Sequence, residues 1–171
     1  MSPTEPVHRG PADILVRLYD LPPLDLSRTD AAGVTLRRPL APEKHVVTAW
    51  VGEHFGAGWV SETERAFANH PLSCFIATHD KALLGFACYD ATALGVFGPT
   101  GVSKEARGRG VGAALFILTL HAMREHGYAY AIVGGAGPID FYQRLVDGVI
   151  IPGSWPGMYR GMLGWEHDSE V

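Results

Sequence analysis

The sequence predicts an α/β domain built on a mixed β-sheet, and three observations carry that expectation. Short runs rich in β-branched and aromatic residues are interspersed with amphipathic helical stretches. Two such runs, Cys74–Thr78 and Leu83–Tyr89, are joined by His79-Asp80-Lys81 and read as a hairpin. A later strand–helix–strand succession, from Leu94 to Gly134, reads as a crossover. A chain of 171 residues fits one core, so a single domain over residues 12–165 is expected, with a loose tail at 1–11 and a short one at 166–171.

Ile14–Tyr19 is an apolar run of strand character, stopped by Leu21-Pro22-Pro23, and Val34–Arg38 alternates apolar and polar residues like a half-buried strand. Pro42 suits the first turn of a helix reaching Phe55, with Val47, Trp50, Val51 and His54 or Phe55 on its apolar stripe. Ser61-Glu62-Thr63-Glu64 has the pattern of a capping box, which predicts that a second helix starts at Ser61 and ends before Pro71. After the hairpin comes a strand over Leu94–Val102, interrupted by Gly98-Pro99-Thr100-Gly101, an unusual content for a central strand because proline cannot donate to the ladder. Gly110–His126 is the strongest helix, closed by Gly127. Tyr130–Gly134 reads as a buried strand and Ile139–Val146 as a short helix. Val149–Ile151 and Met158–Leu163 are expected to close the sheet, on either side of a Pro- and Gly-rich segment.

Composition narrows the function classes. A net charge of −4 argues against a generic nucleic-acid binder and suits a cationic substrate such as an amine. Cys74 and Cys88 both sit in apolar runs and read as reduced, buried thiols. His121 and His126 lie five apart and do not share a helix face, so no metal site is expected. The N-terminus has no apolar signal core, and no stretch approaches the ~18 apolar residues of a membrane span. A cytoplasmic protein without membrane contact is the expectation.

The chemistry-bearing stretch is Gly98 to Tyr142. Arg107-Gly108-Arg109-Gly110-Val111-Gly112 lies between a strand and a helix, where glycine permits a tight turn and close approach of a ligand to the backbone. The helix that follows presents unpaired amides and the positive end of its dipole, together an anion site, beside Lys104, Arg107 and Arg109. The spacing is neither that of a P-loop nor G-x-G-x-x-G within a first βαβ unit. The plain alternative is a glycine-rich turn that only caps a helix.

Arg107, Gly110 and Gly112 match the pattern R/Q-x-x-G-x-G/A, and Phe141-Tyr142 follows after the next strand. These residues resemble the signature of the GCN5-related N-acetyltransferase (GNAT) family, over about Leu36 to Leu163. The resemblance implies a mostly antiparallel sheet whose central strands splay apart to admit acetyl-CoA, and a primary amine as acceptor. It implies that Thr100 and Val102 meet the pantetheine through their backbone, and that Arg107, Gly108, Arg109, Gly110, Val111 and Gly112 hold the pyrophosphate. Lys104 stands where the family often has proline, and Asp147-Gly148-Val149 replaces its usual Gly-Phe.

Tyr142 is implied as the acid that protonates the departing thiolate, since a phenol keeps its proton at neutral pH; its plain alternative is packing beside Phe141. Glu53 is the favoured base, with His54 and Asp90 behind it. Trp50, Phe55, Trp59 and Trp155 are candidates for an acceptor pocket, or for core. A homodimer is expected from the family's habit, with the segment Pro152–Tyr159 packing across a two-fold axis or covering the acceptor site. A non-catalytic acyl-CoA-binding regulator of the same fold is the alternative function.

Overall fold

A computed structural model describes residues 11–164. The tails expected at the two ends therefore lie, but for Pro11, outside the described residues. Seven strands form one sheet in the order β2-β3-β4-β5-β6-β1-β7. They are β1 (Ala12–Arg17), β2 (Thr35–Arg37), β3 (Cys74–His79), β4 (Ala82–Tyr89), β5 (Val96–Val102), β6 (Tyr130–Ala136) and β7 (Val149–Ile150). Only β5 and β6 run parallel; every other neighbouring pair is antiparallel. The first strand does not sit at an edge: β1 lies between β6 and β7 and pairs with both.

Five α-helices cover the two faces: α1 (Ser27–Ala31), α2 (Lys44–Phe55), α3 (Ala57–Ala68), α4 (Val111–His126) and α5 (Ile139–Leu145). The alternation along β3 explains the two layers. Phe75 and Ala77 join the cluster of Val111, Leu115, Phe116 and Leu120 from α4, whereas Cys74 and Ile76 join Val47, Val51 and Ala66 from α2 and α3. With helices on both faces, β3 and β4 have no solvent face, which is why they read as continuous apolar runs. The hairpin between them closes on Asp80 and Lys81, both at positive φ.

Two expectations are corrected. No helix begins at Ser61: α3 starts at Ala57, Val60 donates its N–H to the Gly56 carbonyl, and the Ser61 hydroxyl donates back to Ala57 O at 3.3 Å. The helix gains that extra turn because Trp59 packs on Phe55 with ring centroids 4.8 Å apart and also meets Phe86. Glu64 then pairs with Lys44 at 3.5 Å rather than capping. Nor is Met158–Leu163 a strand; Gly157–Tyr159 forms a 3-10 turn after Pro156. The sheet ends at the two residues of β7, and the segment beyond it is tied back to β1. Ile151 donates to Asp13 O, and the Asp13 amide donates to Ser154 Oγ.

Candidate active site

The site begins where β5 leaves β6. The two strands are paired only at Val96–Ile132 and Phe97–Val133, immediately before Gly98-Pro99, whose peptide is cis. On its other side β5 stays paired with β4 as far as Val102. Ser103 N–H donates to Leu84 O, so in the alternating antiparallel pattern Gly101 with Phe86 is a bonded pair, while Thr100 and Val102 are not. The amides and carbonyls of Thr100 and Val102 therefore face the gap toward β6. Gly101 is required by close approach: a Cβ there would lie 2.3 Å from the Phe55 ring. The interrupted strand seen in the sequence is this splay.

On one side of the gap lies a cavity of about 500 Å³. Its floor is the Arg107-to-Ala113 turn, with Gly108 and Gly110 at φ +80° and +78°, a backbone shape that glycine adopts without penalty. The first bond within α4 runs from Ala114 N–H to Gly110 O, leaving the amides of Val111, Gly112 and Ala113 free of helical partners. All three residues line the cavity, as do Thr100, Val102, Arg107, Gly108, Gly110 and Arg28. Arg109 is exposed and absent from the lining. No carboxylate residue lines it. Its chemistry is that of an anion cradle: oriented amides, a helix N-terminus and two guanidinium groups.

Arg28 went unnoticed in the sequence. It arrives from α1, eighty residues upstream, where its guanidinium donates to the Gly108 carbonyl at 2.9 Å and its stem packs on Gly110. No local pattern marks it, because only the tertiary fold brings α1 to the loop.

On the other side lies a larger cavity of about 1090 Å³, lined by Phe55, Trp59, Phe97, Trp155, Tyr159 and Glu62 among others. Trp50 takes no part; it stacks on His54 at 4.2 Å and packs against Phe86. The Pro- and Gly-rich segment lies over this cavity through Trp155 and Tyr159. Glu53 is exposed on α2 and lines neither cavity. His54 is also exposed, with Nδ1 at 2.9 Å from the Trp50 carbonyl. Asp90 is buried but committed: its carboxylate accepts from the Tyr128 hydroxyl and from Gly95 N–H, closing the loop between β4 and β5.

Glu62 is the carboxylate that does face the second cavity, and the capping-box reading concealed it. Had the helix started at Ser61, Glu62 would stand on a frayed first turn; the earlier start places it in the second turn, against the sheet. It accepts a hydrogen bond from the Thr92 hydroxyl, and burial holds its carboxyl above the usual range.

The cavities share Thr100, Pro138 and Tyr142. Tyr142 thus stands at the junction. Its ring is wedged among Phe116, Phe141 and Phe97 with centroids at 5.0, 5.1 and 6.3 Å, and the residue is 7% exposed. Burial pushes its phenol up to about 12, so the proton is held throughout the physiological range. Among the described residues no group of His, Cys, Asp and Glu side chains is arranged to hold a metal ion, and no helix is long and apolar enough to cross a membrane.

Solved structures share this architecture. A glucosamine N-acetyltransferase region of a fungal multi-domain β-N-acetylglucosaminidase superposes with a TM-score of 0.68 at 15% identity, covering 82% of this chain and 20% of that one. A GCN5-related N-acetyltransferase from Sphaerobacter thermophilus gives 0.66 at 18% identity over 84% of this chain and 50% of its own, and one from Kribbella flavida gives 0.54 at 23%, covering 84% and 55%. The chain spans between a fifth and about half of the length of these structures. Among curated protein sequences none matches significantly. The model of the acetyltransferase (GNAT) family matches residues 43–146, from the helix under Gly101 through the loop to the end of α5, and by that match the chain belongs to the GNAT family.

Proposed function

We propose that the protein is an acyl-CoA-dependent N-acetyltransferase that acts on a primary amine of a small molecule or peptide. The observation that carries this reading is the meeting of two chemically different cavities at Thr100, Pro138 and Tyr142, one a cationic cradle and the other aromatic with a carboxylate. A two-substrate transfer needs separate seats that converge on one reacting centre.

Bound acetyl-CoA supplies an activated acyl carbonyl on a thiol leaving group. The amides of Val111, Gly112 and Ala113, with Arg28 and Arg107, fit its pyrophosphate. Thr100 and Val102 offer amide and carbonyl partners to an extended amide-bearing arm, in the manner of an added strand. A Val102 N–H turned into the gap suits an acyl oxygen that gains charge. Tyr142 holds its proton at the junction and can deliver it to sulfur as the carbon–sulfur bond breaks and the carbon–nitrogen bond forms.

Calorimetry with acetyl-CoA, followed by a thiol-release assay across amines, tests the reading. Binding together with amine-dependent release supports it. Binding without release from any amine favours the regulatory module. The expected dimer is tested separately by sedimentation at micromolar concentration.

A further inference from the structure

We propose that the acceptor is a singly charged primary amine with an apolar or aromatic body, and that Glu62 receives the ammonium group and takes its proton. This rests on the transferase reading above and deepens it.

The larger cavity offers one charge. Of the described residues that line it, Glu62 alone carries an ionisable carboxylate, and none is a lysine, arginine or histidine. Its Oε1 takes the Thr92 hydroxyl, and Oε2 accepts no hydrogen bond from the described residues. The titratable groups that face it are the Tyr159 phenol and the buried Cys88 thiol, each kept protonated by burial. Among the described residues that line the cavity no cationic side chain neutralises the carboxylate, and an incoming ammonium would meet it as an opposite charge.

The rest of the wall selects the body of that amine. Phe55, Trp59, Phe97, Trp155 and Tyr159 present ring faces and edges from four separate parts of the chain, and Met162 adds a flexible thioether. Such a surface favours apolar and aromatic groups. An acceptor with its own carboxylate would face Glu62 without a cation to answer it. A polyamine would leave at least one ammonium against the rings, out of reach of a single carboxylate. Amino acids and polyamines are therefore disfavoured, and a polyhydroxylated amino sugar would leave the ring wall without an apolar partner.

The proton balance is simple. The ammonium loses one proton to the Glu62 carboxylate, the freed lone pair attacks the acyl carbon, Tyr142 supplies the sulfur's proton as the carbon–sulfur bond breaks, and the second proton that nitrogen sheds as the amide forms restores the Tyr142 phenol. Glu62 later returns its proton to water.

The test uses 2-phenylethylamine and hexylamine against glucosamine, spermidine and aspartate, with thiol release read for the wild type and for Glu62→Gln. We expect kcat/KM for the first two to exceed the other three by at least about tenfold, and Glu62→Gln to lower it by about 10²-fold, within the range for a positioned base. The pH profile separates a base from a structural residue. In the wild type kcat/KM should be level between the Glu62 carboxyl and the amine's own pKa. In the variant, which must await free amine, it should climb about tenfold per pH unit over the same interval. Preference for glucosamine, spermidine or aspartate, or an unchanged profile in a folded Glu62→Gln protein, overturns the proposal. Acetyl-CoA calorimetry distinguishes the two levels: retained binding leaves the transferase reading standing, whereas lost binding in the wild type overturns both.

Discussion

Replacing Tyr142 by phenylalanine isolates one hydroxyl. The ring keeps its edge contacts with Phe97, Phe116 and Phe141, so the variant should fold with a stability at neutral pH within about 1 kcal/mol of the parent. Alanine, by contrast, leaves a cavity in this cluster and should cost about 3–5 kcal/mol. The alkaline limb supplies a second signature. The phenol is raised from its ordinary 10.0 to about 12, so the native state holds the proton more tightly than the unfolded chain. That contribution is fully present below pH ~10 and is lost as pH rises through ~12. Two pKa units at about 1.36 kcal/mol each make the loss about 3 kcal/mol in the parent, and Tyr142→Phe should not show it. Denaturant melts at pH 8 and pH 11.5, where about 2 kcal/mol of that loss has accrued, measure both effects. Turnover tells whether the hydroxyl acts: as general acid its removal should lower kcat by about 10²–10³-fold while acetyl-CoA affinity stays put. Full turnover in Tyr142→Phe would refute the acid role and leave the residue as packing.

Three further outcomes follow from the cradle and the splay. Gly112 has room for a side chain, with Val102 Cγ2 at 3.6 Å from a built Cβ, so Gly112→Asp should fold yet weaken acetyl-CoA binding at least about tenfold by placing a carboxylate at the helix N-terminus; unchanged affinity by calorimetry would put the anion site elsewhere. Arg28→Ala removes a charged donor to Gly108 O and a cavity cation, and should raise the acetyl-CoA Kd by about tenfold with a steeper loss at low salt than at high. Gly101→Ala drives a methyl into Phe55 and should cost about 1–3 kcal/mol in urea melts, with a raised amine KM because Phe55 also lines the acceptor cavity.

The legible parts of this protein are those in which the signal is local. α4 announces itself through sustained apolar rows between Gly110 and Gly127, both of which adopt the left-handed conformation their positions require. The splay was legible as an inconsistency, a strand carrying Gly98, Pro99 and Gly101 in mid-sheet, because a strand without a partner on one side tolerates what a full ladder does not. What escaped is set by distance along the chain. Arg28 meets Gly108 from eighty residues away. Glu62 was hidden by a competing local pattern: four residues that fit a capping box were overruled by Trp59, whose packing on Phe55 and Phe86 starts the helix one turn earlier. Propensity lost there to burial of a large aromatic ring. Where Met158–Leu163 was expected as a strand, the chain turns through a 3-10 helix at Gly157–Tyr159, and Trp155 and Tyr159 line the larger cavity instead of pairing in the sheet.

Opening a sheet at its centre forfeits ladder bonds, and the structure shows how that is tolerated. The backbone groups of Thr100 and Val102 that face β6 have no strand partner, and each would cost about 1–3 kcal/mol if sealed from water. They are not sealed, because a cavity opens on each side of the gap at this level. The strand itself is held from its other edge by β4, from below by the Phe55 ring against Gly101, and by the Thr100 hydroxyl, which donates to Phe86 O at 3.0 Å. A rigid edge with unused hydrogen-bonding groups, next to an anion cradle, is already in the shape that an extended, amide-bearing phosphate ester needs, so little ordering remains to be done on binding. The larger cavity is built differently, with aromatic side chains set beside the backbone of Gly134, Gly135 and Gly137, and part of it comes from the segment after β7. Changes confined to Trp155, Tyr159 and Met162 should accordingly move acceptor choice while leaving acetyl-CoA affinity within about twofold, since none of the three lines the coenzyme cavity. A tenfold loss of acetyl-CoA affinity in a folded Trp155→Ala protein would show that the two seats are not separable in this way.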